Sequence, residues 1–149
     1  MKKYVIISLL VLAGVVFTSC EPREPQMRKK TIELVVKPNL WQFDNSANMY
    51  FCHFDVSELT ANVYNYGEVS INREYNSGKS DAYQVALPET SYLIDYLDNG
   101  DETSSPYYYQ QHIDYAYGVG FAEIFLTISD YYYEEYTPEA MLFRLQLTY

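Results

Sequence analysis

Alternation of apolar and polar residues with a period of two runs through most of this chain, and it restricts the fold more than any other feature. "TIELVVKP" sets Ile32, Leu34 and Val36 on one face. "MYFCHFDV" sets Tyr50, Cys52, Phe54 and Val56 against Phe51, His53 and Asp55. "EVSINREY" alternates Val69, Ile71, Arg73 and Tyr75 with Glu68, Ser70, Asn72 and Glu74. Side chains of a strand point alternately to its two sides, so such runs bury one face only as β-strands.

The later segments keep the same period. "YYYQQHIDYAY" puts Tyr107, Tyr109, Gln111, Ile113, Tyr115 and Tyr117 together, and "FAEIFLTIS" groups Ala122, Ile124, Leu126 and Ile128. "MLFRLQLTY" brings Met141, Phe143, Leu145, Leu147 and Tyr149 into phase as a core-facing closing strand. Turn residues separate the runs: "NSG" at 76–78 before "DAYQVAL" as hairpin partner, then Gly118 and Gly120. One helical signal interrupts the pattern. "SELTANVYNYG" offers Ser57 as N-cap, Gly67 as stop, and Leu59, Val63 and Tyr66 on one side. These features predict an antiparallel β-sandwich of seven or eight strands with one short helix, a small closed barrel being the alternative.

Several of these strings, "ELTANVYNYGEVSINREY", "YQVALPETSY" and "MLFRLQLTY" among them, resemble small Bacteroidota-type lipoproteins of unknown function. The shared marks are Leu59-Thr60, Val63, Gly67, Leu87-Pro88 and Phe143-Arg144. All have structural roles, as a helix stop, a strand end and a closing strand, so the resemblance implies a fold and no catalytic residues. The chain departs from that pattern in its excess of tyrosine, notably at Tyr107–Tyr109 and Tyr131–Tyr133.

The N-terminus reads as an address. Met1-Lys2-Lys3 is basic, and "YVIISLLVLAGVVF" is apolar but shorter than the roughly 20 residues that cross a bilayer. Thr18-Ser19-Cys20 follows and resembles a bacterial lipobox, with Phe17 where Leu is usual. Residues 1–19 are therefore expected to be a cleaved signal peptide. Cys20 is expected to carry lipid and hold the chain to the outer membrane, facing periplasm or exterior, with Glu21 not favouring inner-membrane retention. "EPREPQMRKK", with two prolines and mixed charge, reads as a tether through residue 30, leaving 31–149 as one domain.

That domain is acidic. Four basic residues (Lys37, Arg73, Lys79, Arg144) stand against eighteen acidic ones, a net −14. Such a surface repels nucleic acid and anionic membrane. Cys52 is the single cysteine after Cys20, so no internal disulfide forms, and its alternation with Tyr50 and Phe54 reads as a small buried hydrophobe.

Chemistry-bearing clusters are sparse. His53 and His112 lie on separate strands, and His53 with Asp55 is too small a set for zinc. Asp95, Asp98, Asp101 and Glu102 surround Gly100 in "DYLDNGDET". They supply oxygens of the kind calcium takes, although "DNGD" is also an ideal turn between strands. No nucleophile elbow or triad is readable. Trp41 either stacks on a sugar ring or plugs one end of the sandwich. If Ile113 faces the core, Tyr108, Gln110, His112, Asp114 and Ala116 share the wet face of their strand. Tyr108, His112 and Asp114 then mix aromatic, imidazole and carboxylate groups suited to a protein or glycan partner.

These features predict a lipid-anchored, non-enzymatic binding or assembly module. The alternatives are a glycan-acting or calcium-assisted hydrolase domain and a pilus-type subunit. Cys20→Ala is expected to abolish lipid attachment and shift the chain to the soluble fraction or leave it uncleaved. Fractionation and migration identical to wild type would refute the anchor.

Overall fold

The computed structural model describes residues 27–98, 104–129 and 137–149. Among them nine strands form two antiparallel sheets packed as a sandwich. The four-stranded sheet has the order β1-β9-β4-β5, and the five-stranded sheet β2-β3-β8-β7-β6. In chain order they are β1 (Lys29–Val36), β2 (Gln42–Asp44), β3 (Met49–Asp55), β4 (Glu68–Tyr75) and β5 (Tyr83–Ala86). Then come β6 (Glu89–Asp98), β7 (Ser104–Gly118), β8 (Phe121–Ile128) and β9 (Met141–Thr148). Both sheets keep open edges, so the barrel alternative is set aside.

The strand count exceeds the expected seven or eight because β2 is only three residues long and β6 occupies a segment read as an acidic turn. The first strand also begins earlier than the expected Thr31. Lys29 and Lys30 pair with Thr148 and Leu147, and Arg28 and Tyr149 exchange backbone hydrogen bonds of 2.7 and 3.0 Å. The Lys30 ammonium meets Glu58 at 2.8 Å. Residues 1–26, with Cys20, lie outside the described residues, as do Tyr131–Tyr133. Among the described residues no helix is long and apolar enough to cross a membrane.

The core follows the period-two pattern. On β8, Ala122, Ile124, Leu126 and Ile128 are buried, and on β9 so are Met141, Phe143, Leu145 and Leu147. Leu34 and Val36 of β1, Cys52 of β3, Ile71 of β4 and Ile113 of β7 also belong to the interior. Tyr149, in phase with the β9 core residues, emerges half-exposed because the strand ends at Thr148. Cys52 is packed as expected, its Sγ 3.2 Å from the Leu40 carbonyl, and burial pushes its thiol up to about 12.

The helix, α1 (Ala61–Tyr66), starts later than Ser57. Thr60 is the cap, accepting the Val63 N–H at 3.3 Å, while the Ser57 hydroxyl turns to Glu58. Leu59 and Val63 are buried but Tyr66, the last residue of the helix, is 85% exposed, and Leu59 precedes the cap, so the three do not form one helical side. Gly67 ends the helix for steric reasons. A Cβ there would meet the Val63 carbonyl at 2.7 Å and that of Thr148 at 2.8 Å. Gly120, at φ +87, makes the tight β7–β8 turn, and its backbone bonds to Val56 and Leu59 tie that turn to the segment before α1.

Arg144 on the outer face of β9 bonds Glu74 and, at 2.8 Å, Glu33, clamping β4, β9 and β1 together. The guanidinium holds the Glu74 carboxyl down at about 2. Ile113→Ala is expected to cost about 2–5 kcal/mol in a urea titration, because the side chain is fully enclosed. A loss near zero would mean that β7 does not face the core through this residue.

Candidate functional site

The longest strand sets the geometry. β7 pairs with β6 from Ile113↔Glu89 out to Ser104↔Asp98. On its other side β8 reaches only Gln111, and Ser129 bonds Gln110. Residues 104–109 and their β6 partners thus form a two-stranded ribbon extending past the sandwich.

Its outer face presents Tyr92, Ile94 and Tyr96 of β6 beside Tyr108 of β7, exposed to 76, 48, 61 and 70%. Ile94 lies directly opposite Tyr108, and Tyr96 opposite Pro106. The parity read from the sequence holds. Tyr108, Gln110, His112 and Ala116 are exposed, whereas Tyr107, Tyr109, Tyr115 and Tyr117 turn inward and are partly covered. Tyr107 and Tyr109 stack with centroids 6.1 Å apart. Burial, then the carboxylates of Asp95 and Glu139, push the Tyr109 phenol up.

His112 joins the ribbon face near its root, its Nδ1 2.8 Å from the Thr90 hydroxyl across the strand pair. Asp114 is partly buried, and its Oδ1 accepts the Tyr115 N–H at 2.7 Å. It borders an open groove of about 680 Å³ where β7 continues past the start of β6, lined also by Tyr64, Asn65, Pro88, Tyr115 and Tyr117. Tyr64 meets the Tyr117 ring edge-on at 5.9 Å.

Trp41 does not belong to this face. It is 9% exposed within the core, its indole N–H directed at the Glu139 carbonyl at 3.4 Å. It directly precedes β2, at the opposite edge of the five-stranded sheet from β6. That burial matches the plug and withdraws the ring from surface stacking. Of the acidic set, Asp101 and Glu102 lie outside the described residues, and for Asp98 only its backbone pairing is described. Asp95 is exposed on β6, its Oδ1 accepting the Tyr96 N–H at 2.8 Å. Among the described residues no group of three or more His, Cys, Asp or Glu gathers to hold a metal ion.

Two features escaped the sequence reading. The first is the β6 contribution of Tyr92, Ile94 and Tyr96, signalled by the alternation in "TSYLIDYL" but masked by its acids. The second is a polar junction at the ribbon root. Arg73 of β4 is 5% exposed between the sheets. It donates to Gln111 of β7 at 3.3 Å and to Glu139 at 2.9 Å, and lies 4.3 Å from the Tyr75 ring centroid. Tyr75 in turn donates to Glu89 of β6, which also accepts from Ser91 at 2.9 Å. Burial and the Glu89 carboxylate push the Tyr75 phenol up to about 12. A buried guanidinium is retained only with such partners. Here they bolt the root of the ribbon to the other sheet.

No protein-family model, no curated protein and no solved structure matches the chain. What the site can do therefore rests on its own geometry, an exposed aromatic face on an acidic sheet.

His53, stacked on Phe121 at 5.5 Å, supplies a pH handle on the same sheet. Its Nδ1 lies 3.0 Å from Glu123 of β8, closer than Asp55 at 3.6 Å. Glu123 raises its titration above the ordinary 6.5. A raised folded value means that this contact favours the fold fully below the unfolded value and fades as pH rises through the folded one. Imidazole NMR is expected to place His53 above 6.5, and Glu123→Gln to lower it. No response to the substitution would remove Glu123 as the cause.

Proposed function

We propose that this chain is a lipid-anchored, non-enzymatic binding or assembly module of the outer membrane, held through Cys20 and facing the periplasm or exterior. The observation that carries the reading is the exposed aromatic face of the β6–β7 ribbon, beside His112 and fixed at its root by Arg73. Large apolar side chains clustered on a surface mark an interaction site, whereas scattered ones do not. Tyrosine suits such a site because it contributes wide contact at low entropy cost.

The address at residues 1–20 and the short tether support presentation of this face away from lipid. Between Cys20 and β1 about eight residues span at most roughly 27 Å. A strand-exchanging pilus-type subunit is disfavoured, since β9 lies between β1 and β4 with its inner face buried. Nothing in the described acidic residues favours a calcium-assisted hydrolase. The partner, in this reading, is a protein or glycan of the envelope and not nucleic acid.

Tyr108→Ala and His112→Ala are each expected to leave stability within about 1 kcal/mol, while reducing what the full chain captures from envelope extract in a pull-down. If both variants fold and capture the same molecules as wild type, this face is not the binding surface.

A further inference from the structure

The binding-module reading leaves the partner's chemistry open, and the charge of the five-stranded sheet narrows it. Its five strands carry seven carboxylates (Asp44, Asp55, Glu89, Asp95, Asp98, Asp114 and Glu123) and no lysine or arginine. On the other sheet Arg144 is engaged by Glu33 and Glu74, Lys30 by Glu58 and Arg73 by Glu139, while Lys29 lies on its edge strand β1. The ribbon therefore offers aromatic faces in a field of one sign. Tyrosine rings attract ammonium and guanidinium groups, and the net negative field of the sheet adds to that attraction.

Spacing sets the partner's form. Tyr92, Ile94 and Tyr96 stand two residues apart on one strand, a repeat of roughly 6.7 Å that matches alternate side chains of another extended segment. The ribbon's edge is less suited to the task than its face. The Tyr96 amide is already taken by the Asp95 carboxylate, and a charged residue on an edge opposes strand addition. A second copy would bring like charges together.

We propose that Tyr92, Ile94, Tyr96 and Tyr108 form a docking face for an extended, cationic polypeptide segment of a partner protein, with lysine or arginine at alternate positions. This rests on the binding-module reading and specifies its ligand.

The test uses the full chain in neutral detergent and fluorescein-labelled peptides alternating valine with lysine, threonine or glutamate, followed by anisotropy. The lysine peptide is expected to bind, to weaken as salt rises, and to lose about tenfold in affinity with the Tyr92→Ala/Tyr108→Ala double variant. Tyr66→Ala, equally exposed but on α1, serves as the control and is expected to bind as wild type. An unchanged thermal midpoint of the double variant shows that the loss is local. Equal binding of the threonine or glutamate peptide, or full binding by the double variant, overturns the proposal. So does cross-linking of the chain to itself that the double variant abolishes, which would make a second copy the occupant. If capture from envelope extract depends on Tyr108 while the lysine peptide binds no better than the threonine peptide, the module reading stands and the cationic partner falls.

Discussion

The apolar core to which β8 and β9 contribute supports the rest of the domain. The two strands follow one another in the chain, yet they lie inside opposite sheets, each flanked by a neighbour on both sides. Every second residue of each is buried, from Ala122 to Ile128 and from Met141 to Leu147. A fully buried aliphatic or aromatic side chain contributes about 1.5–3 kcal/mol relative to exposure, so these two strands alone hold a large part of the hydrophobic driving force. The outer strands then need only complete backbone pairing and cover the flanks. This explains why β2 survives at three residues and β5 at four.

Against this apolar frame, the Arg73 junction stands out. Arg73 occupies the inward phase of β4 directly after Ile71, where the sandwich interior opens towards the ribbon. Gln111 and Glu139 bond it, and the Tyr75 ring lies beside it. Removing one partner of a buried charge costs far more than the pair contributes net. The junction therefore fixes geometry more than it adds stability. It ties β4 of one sheet to β7 and β6 of the other, the strands that carry Tyr92, Ile94, Tyr96 and Tyr108. Stability sits in one part of the molecule and the proposed recognition in another, joined by a few polar contacts.

Much of this was legible in the chain. Period-two alternation determined the strands at 31–36, 49–56, 68–75, 107–117, 121–128 and 141–148, and the inward parity of Ile113 carried with it the outward parity of Tyr108 and His112. Alternation is a local property of the backbone, so it needs no knowledge of neighbours. Thr60 rather than Ser57 as helix cap, and Lys29 rather than Thr31 near the start of β1, were not legible. Both depend on what the flanking segment pairs with: Ser57 on Glu58, and Lys29 on Thr148.

The sequence by itself determined the all-β class, the core face of each major strand and the acidic charge, because each is a matter of composition or of order along the chain. Only the tertiary structure decided that "TSYLIDYL" is a strand, that Trp41 is sealed inside, and that Arg73 meets Gln111 and Glu139. Those outcomes hinge on contacts between residues dozens of positions apart. β6 finds a partner in β7, so Asp95 stands along a strand. The exposed aromatic face exists because Tyr92, Ile94 and Tyr96 fall beside Tyr108, a register that hydrogen bonds between two strands impose and that neither strand encodes alone.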